Sequence, residues 1–330
     1  MQYNLSSIRI ACAACCLLLA AHAVTAPAQS GYPSKPIRLI VPFAPGGPND
    51  LLGRIVGQKL TEQWGQSVVV ENRGGAGGTV GLDAAAKSHG DGYTLAMGGS
   101  SNMAVAPSLY KKLPYDSVKD FSPVINIAHV PYAVGVNPTV PAKSVKELMA
   151  IAKRKAGYLS YASSGTGSMS SLSAELFKSM AGAEILHIPY KGTAPALTEV
   201  VSGQVDLMFA DLALIQPLAR AGKLKLIAVT GSRRAPAARD VPTISESGLR
   251  GYEIEPWFGV VAPAGVPRDI VSRLNAAIVA GLKSSDVIQR LDALGYEPIG
   301  GTSEQFAATI RADIAKYAKI IKSAGIKADL

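Results

Sequence analysis

The chain has 330 residues, 48% of them hydrophobic, and a net charge of +9 from 33 Lys and Arg against 24 Asp and Glu. That length accommodates two α/β domains, and the basic excess is scattered in pairs such as Lys111-Lys112 and Arg233-Arg234 without interleaved aromatics, which argues against nucleic acid and leaves attraction of small anions. All three cysteines, Cys12, Cys15 and Cys16, precede residue 17, so the rest of the chain holds no disulfide framework, thiolate zinc site or cysteine nucleophile.

In chain order, residues 1–28 read as a cleaved export signal: Arg9, an apolar run over 11–21, then Ala21-His22-Ala23 and Ala26-Pro27-Ala28. A lipoprotein anchor is the competing reading, but the cysteines lack the usual Leu-Ala-Gly lead-in. After cleavage 32 basic residues face 24 acidic ones, no second membrane segment follows, and the expected compartment is the periplasm.

Residues 37–64 carry the most information. The apolar stretch 37–41 reads as a strand covered on both faces, and Phe43-Ala-Pro-Gly-Gly-Pro-Asn-Asp50 leads into a helix capped by Asn49 or Asp50, with apolar positions Leu51, Leu52, Ile55, Val56, Leu60 and Trp64. At such a helix start, unpaired N–H groups and the positive dipole end favour a carboxylate or phosphate, and Gly46 and Gly47 let the backbone approach. Further strands are predicted at 67–71, 93–97, 159–163, 185–188, 205–209, 224–230 and 254–262. Helices are predicted at 78–87, 144–155, 168–181, 193–202, 267–284 and 303–324, with Ser144 and Glu147 as a capping box and Ser303 starting the last. This alternation predicts an α/β protein with mostly parallel sheets, and the lack of a linker or repeat predicts crossings between two domains near 127–136 and 251–260.

Three more predicted strand ends run into small residues: Met97-Gly-Gly-Ser-Ser-Asn102, Ser163-Ser-Gly-Thr-Gly-Ser168 and Pro189-Tyr-Lys-Gly-Thr-Ala194. Ligands of open α/β sheets bind outside the carboxyl ends of the strands, so four loops rich in N–H and O–H donors are expected to converge on one crevice, and such donors suit a carboxylate. Each feature has a plainer reading beside this one. The glycines serve turns, Asp50 and Asp211 cap helices, Tyr190 is core, Lys191 is a solvated charge, and Trp257 and Phe258 pack at a hinge or in the core.

Catalytic patterns are missing. His89, His129 and His187 lack metal spacing, and there is no Gly-x-Ser-x-Gly elbow, no Gly-x-x-x-x-Gly-Lys-Ser/Thr loop and no Gly-x-Gly-x-x-Gly, since the glycines of Gly74-Gly-Ala-Gly-Gly78 are wrongly spaced. No metal, no cofactor and no enzymatic activity are expected.

The runs Tyr32-Pro-Ser-Lys-Pro-Ile-Arg-Leu-Ile-Val-Pro-Phe-Ala-Pro-Gly-Gly, Val70-Glu-Asn-Arg-Gly-Gly-Ala-Gly-Gly, Tyr93-Thr-Leu, Pro189-Tyr-Lys-Gly, Gly222-Lys-Leu and Asp240-Val-Pro-Thr resemble the extracytoplasmic solute receptors of tripartite tricarboxylate transporters, the Bordetella uptake family. The resemblance covers nearly all of the chain after the signal, in order. It implies a two-lobed periplasmic-binding (Venus flytrap, type II) fold, with residues 29–130 and 255–330 in one lobe and 131–254 in the other. It implies a monomer that closes over a small organic acid and presents it to membrane permease subunits. An exported sensor and an exported enzyme acting on an acid are the other classes.

Carried over by position, the first-lobe contacts are Phe43, Ala44, Gly46, Gly47, Asn49, Asp50, Ser100, Ser101 and Asn102. Those of the second lobe are Ser163, Ser164, Gly165, Thr166, Gly167, Ser168, Pro189, Tyr190, Gly192 and Asp211. The sequence departs from the family pattern at Pro48, at Ser171 in place of a common His-containing run, and at Met103 and Ala106 before Pro107-x-Leu-Tyr110. These departures imply a less polar pocket, suited to a monocarboxylate or an aromatic or hydrophobic acid.

Overall fold

Two sheets divide the strands. The computed structural model describes residues 31–154 and 157–326, so the export signal expected over 1–28 lies outside the described residues. Residues 31–34, part of a separate unit Met1–Ser34, contain no helix or strand. From Lys35 on, the strands are β1 Ile37–Val41, β2 Val68–Asn72, β3 Thr94–Gly99, β4 Phe121–His129, β5 Tyr132–Val136, β6 Ser160–Ser163, β7 Leu186–Pro189, β8 Leu207–Asp211, β9 Lys225–Val229, β10 Trp257–Pro263 and β11 Glu297–Gly300. The first sheet has the order β11-β4-β10-β3-β1-β2 and the second β7-β6-β8-β5-β9.

The helices are α1 Pro48–Trp64, α2 Thr79–Ala86, α3 Ala106–Leu109, α4 Val145–Arg154, α5 Met169–Ala181, α6 Thr193–Ser202, α7 Leu212–Arg220, α8 Arg268–Leu282, α9 Ser285–Leu294 and α10 Ser303–Ala324, with a π-helical turn at Ser100–Val105. Their buried positions follow helical spacing, as in α4 with Val145, Leu148 and Ala152, and in α10 with Phe306, Ile310, Tyr317 and Ile321. The cap of α1 falls two residues before Asn49, and that of α10 one residue before Ser303. Gly47 precedes α1, whose first residue is Pro48, and Thr302 with Gln305 makes the capping box of α10.

Both sheets are mixed, which corrects the expectation of mostly parallel pairing. β2, β1 and β3 run parallel, as do β7, β6 and β8, but β10 is antiparallel to β3 and β4, and β5 to β8 and β9. β11 is antiparallel to β4 as well, and β5 and β10 stand where the chain passes between sheets. After β4 the chain turns at Val130–Pro131 straight into β5, and it returns from β9 to β10 through residues 230–256. The two passages are tied together: Val130 N donates to Pro256 O at 2.9 Å and Thr230 N donates to Tyr132 O at 2.9 Å, while within the return passage Ile254 N donates to Thr230 O at 2.9 Å and the buried Thr230 hydroxyl donates to Ile254 O at 2.8 Å.

β10 and α10 lock together where the chain re-enters the first sheet. Trp257 is 1% exposed, its ring meets Phe306 edge-on at 5.2 Å, and its indole N–H donates to Asp313 Oδ2 at 2.6 Å. Replacing Asp313 with Ala leaves a buried donor without an acceptor and is expected to cost about 1–3 kcal/mol of folding stability in urea titrations, with Asp313→Asn losing less. Equal stability of Asp313→Ala and the wild type would show that the indole finds another partner.

Candidate functional site

Helices α1, α5 and α6, which follow β1, β6 and β7, start where the two sheets face each other, so the site is assembled from helix starts. In the first loop Gly46, at φ +89°, donates its N–H to Asp50 Oδ2 at 3.0 Å. Asp50 Oδ2 also accepts from Arg54 Nε at 2.9 Å, Asp50 Oδ1 accepts from Asn72 Nδ2 at 3.0 Å, and the same Asn72 amide donates to Phe43 O at 3.0 Å. Burial pushes the Asp50 carboxyl up, but hydrogen bonds from Arg54, Asn72 and Gly46 outweigh it and hold the group below its usual range. Asp50 therefore braces the loop from behind. Gly47 offers no side-chain cap, and Pro48 at the first helical position has no N–H, so the next backbone donor belongs to Asn49. Asn49 is 5% exposed and its Oδ1 has no hydrogen-bond partner among the described residues.

At the end of β3, Ser100 Oγ accepts from Trp257 N at 3.0 Å and Asn102 Oδ1 accepts from Gly99 N at 2.9 Å, which fixes the π-helical turn and leaves Ser101 on the cleft side. In the second lobe Ser163 Oγ meets His187 Nε2 at 2.6 Å and accepts from Gly165 N at 3.2 Å. Ser168 is the N-cap of α5, accepting from Ser171 N at 3.2 Å, and Ser164 N donates to Ser170 Oγ at 2.9 Å. α6 begins after Gly192 with no side-chain cap, so its first N–H groups stay available.

These starts meet at one small cavity. Its wall is Phe43, Gly47, Pro48, Asn49, Ser101 and Phe258 from the first lobe and Tyr132, Ser164, Met169 and Thr193 from the second. No lysine, arginine, histidine or carboxylate is among them, and the described residues contain no group of side chains arranged for a metal ion. Of the residues expected to touch ligand, Phe43, Gly47, Asn49, Ser101 and Ser164 line this cavity. Ala44, Gly46, Asp50, Ser100, Asn102, Ser163, Gly165, Thr166, Gly167, Ser168, Pro189, Tyr190, Gly192 and Asp211 stand outside its wall, many of them bracing it or forming the seam between lobes. Tyr132, Met169 and Thr193 were not foreseen in this wall, and Phe258 was read first as hinge or core packing with stacking on an aromatic ligand as the lesser reading. Thr193 and Met169 are the first residues of the helices after two of the recognised loops, whereas Tyr132 and Phe258 follow the crossings and carry no local signal. Of the departures from family pattern, only Pro48 lines the cavity; Met103 and Ala106 are buried away from it and Ser171 faces a separate open groove.

The lobes touch along bare backbone. A methyl group added at Gly192 would sit 2.7 Å from Ala44 Cβ, and one at Gly47 3.3 Å from Thr193 Oγ1. Asp211 also bridges the lobes. It caps α7 through Ala213 N at 2.9 Å, and Tyr296, just before β11, donates its hydroxyl to Asp211 Oδ2. Burial raises the Asp211 carboxyl to about 7, partly opposed by these two hydrogen bonds, and no cation is among its partners.

Residues 52–326 match the family described as the tripartite tricarboxylate transporter family receptor. Among solved structures, one described as a periplasmic transporter is 44% identical, with 90% of this chain and 99% of that one covered and a TM-score of 0.86. A Rhodopseudomonas palustris protein solved with adipate is 40% identical over 90% of this chain and 99% of its own, with a TM-score of 0.86. MatC from Rhodopseudomonas palustris, with bound malate, is 33% identical over 88% and 100% of the two chains, with a TM-score of 0.85.

The raised Asp211 carboxyl has a sign that can be checked. Between the ordinary carboxylate range and pH 7 the folded protein keeps a proton that the unfolded chain has released, so this group lowers stability as pH rises from about 4 to 7. Asp211→Asn is expected to lose less thermal stability over that interval than the wild type. Parallel pH profiles for the two proteins would exclude Asp211 as the titrating group.

Proposed function

Because the chain belongs to the tripartite tricarboxylate transporter receptor family, we propose that it is an exported receptor that captures a small organic acid between its lobes and hands it to a membrane permease. The observation that carries this reading is the meeting of helix starts from both lobes at one cavity, two of them without side-chain caps. Such ends present N–H donors and positive partial charge to an anion, so a carboxylate is held without a basic side chain. The hydroxyls of Ser101, Ser164 and Thr193 add donors on the same wall, and Phe43, Pro48, Met169 and Phe258 give the rest of the ligand apolar surface. The adipate and malate complexes of the two relatives support the acid class.

Cargo that touches Asn49 and Ser101 on one side and Ser164 and Thr193 on the other makes its full set of contacts only when the lobes meet. That difference in affinity between open and closed forms drives closure, and closure is what the permease reads. The lobe boundaries at 130/131 and 254/255, the signal over 1–28 and delivery to the periplasm belong to the same proposal.

Thermal-shift measurements against mono-, di- and tricarboxylates, aromatic acids, amino acids and neutral solutes test it. An acid at 100 times its dissociation constant adds about 2.7 kcal/mol, a shift of several degrees for this size. Ser101→Ala and Thr193→Ala are each expected to weaken the responding acid by about 1–3 kcal/mol in calorimetry, because a buried anion loses a donor. Response to neutral solutes alone would overturn the carboxylate assignment.

A further inference from the structure

The run Pro107-x-Leu-Tyr110 ends on a side chain that ligand capture, as described so far, does not use. Tyr110 follows α3, is half-buried and is not part of the cavity wall. Its hydroxyl lies 2.8 Å from Thr166 O in the second lobe and 3.1 Å from Ala76 O in its own. A phenol has one hydrogen, so two carbonyls from different lobes share a single donor.

The surroundings are shaped to let the lobes meet here. Gly77, at φ +64°, has no room for a side chain: a methyl group would sit 2.6 Å from Thr166 O and 3.0 Å from Gly167 C. One at Gly167, at φ +77°, would sit 2.6 Å from the Tyr110 hydroxyl. Between these contacts stands Ala76, a non-glycine residue held at φ +46°, whose carbonyl also accepts the Thr79 hydroxyl at 3.0 Å. Left-handed backbone is strained for a residue with a Cβ, and it persists where the surroundings demand it.

We propose that Tyr110 is a positioning residue for ligand capture, a clasp outside the cavity whose hydroxyl donates to Ala76 O when the lobes part and to Thr166 O when they meet. This rests on the reading of the protein as a receptor that closes over its cargo. The exchange keeps the donor satisfied in both forms, so opening carries no penalty for a stranded hydroxyl, while the closed form gains a bond between lobes. The clasp therefore shifts the equilibrium toward closure before any ligand arrives and slows the release of whatever the cavity holds. Burial raises the phenol to about 12, so it stays a donor throughout the physiological range.

Tyr110→Phe keeps the ring packed against Gly167 and removes only the hydroxyl. Small-angle X-ray scattering of the ligand-free proteins should give a larger radius of gyration for the variant, with unchanged circular dichroism. With adipate as probe, stopped-flow fluorescence from the native tryptophans should show release about three- to tenfold faster and association unchanged. An unchanged radius would sink the clasp while leaving acid binding intact. A larger radius in a protein that ignores adipate and every other acid would uphold the clasp and remove the acid reading instead.

Discussion

A helix cannot satisfy its own first N–H groups, and this protein depends on where that deficit is placed. The strands deliver α1, the turn at 100–105, α5 and α6 to the same gap between sheets, so donors that water would otherwise hydrate point into a small cavity. Whether each end is capped then decides what it does. Ser168 satisfies α5 internally and Asp211 does so for α7, whereas Gly47 and Gly192 leave α1 and α6 uncapped. The polarity of the cavity thus arises from backbone, and charged side chains work one layer out, as Asp50 does with Arg54 and Asn72 around the Gly46 loop.

This arrangement imposes a second demand, because backbone donors from two lobes serve one small ligand only if the backbones come close. At Gly77, Gly167 and Gly192 even a methyl group would strike the opposite lobe or the side chain bridging to it. Such glycines are commonly read as turn residues, and several here are also at positive φ. Their second role is steric and appears only when the partner lobe is in place.

Much of the first loop was legible because its pattern is local. An apolar strand, a Gly/Pro turn and an amphipathic helix at 37–64 define an anion-friendly helix start without reference to the rest of the chain. The element assignment fell short where tertiary context decides. Residues 127–136 read as one crossing, yet they hold the end of β4 and the whole of β5, strands of different sheets separated by Val130–Pro131. The antiparallel pairing that makes both sheets mixed comes with those strands. Site residues follow the same division. Ser101 and Ser164 were recognised from hydroxyls in loops, while Tyr132 and Phe258 enter the wall through the path of the crossings. Asp50 is a carboxylate of the first loop whose oxygens are engaged inside its own lobe, by Gly46, Arg54 and Asn72. The departures at Pro48, Ser171, Met103 and Ala106 implied a less polar pocket; of these only Pro48 lines the cavity, where Phe43, Met169 and Phe258 supply further apolar wall.

The tie between the two crossings has mechanical meaning. Val130 is joined to Pro256 and Tyr132 to Thr230 side by side, which restrains the lobes from sliding past each other and leaves the paired crossings as the axle between them. Tyr132 and Phe258 stand beside that axle and also line the cavity, which puts cargo on the short arm of a lever. A molecule one bond too long would wedge the jaws by a small amount at the cavity and by more wherever the arms extend. A misfit in size is therefore magnified by leverage.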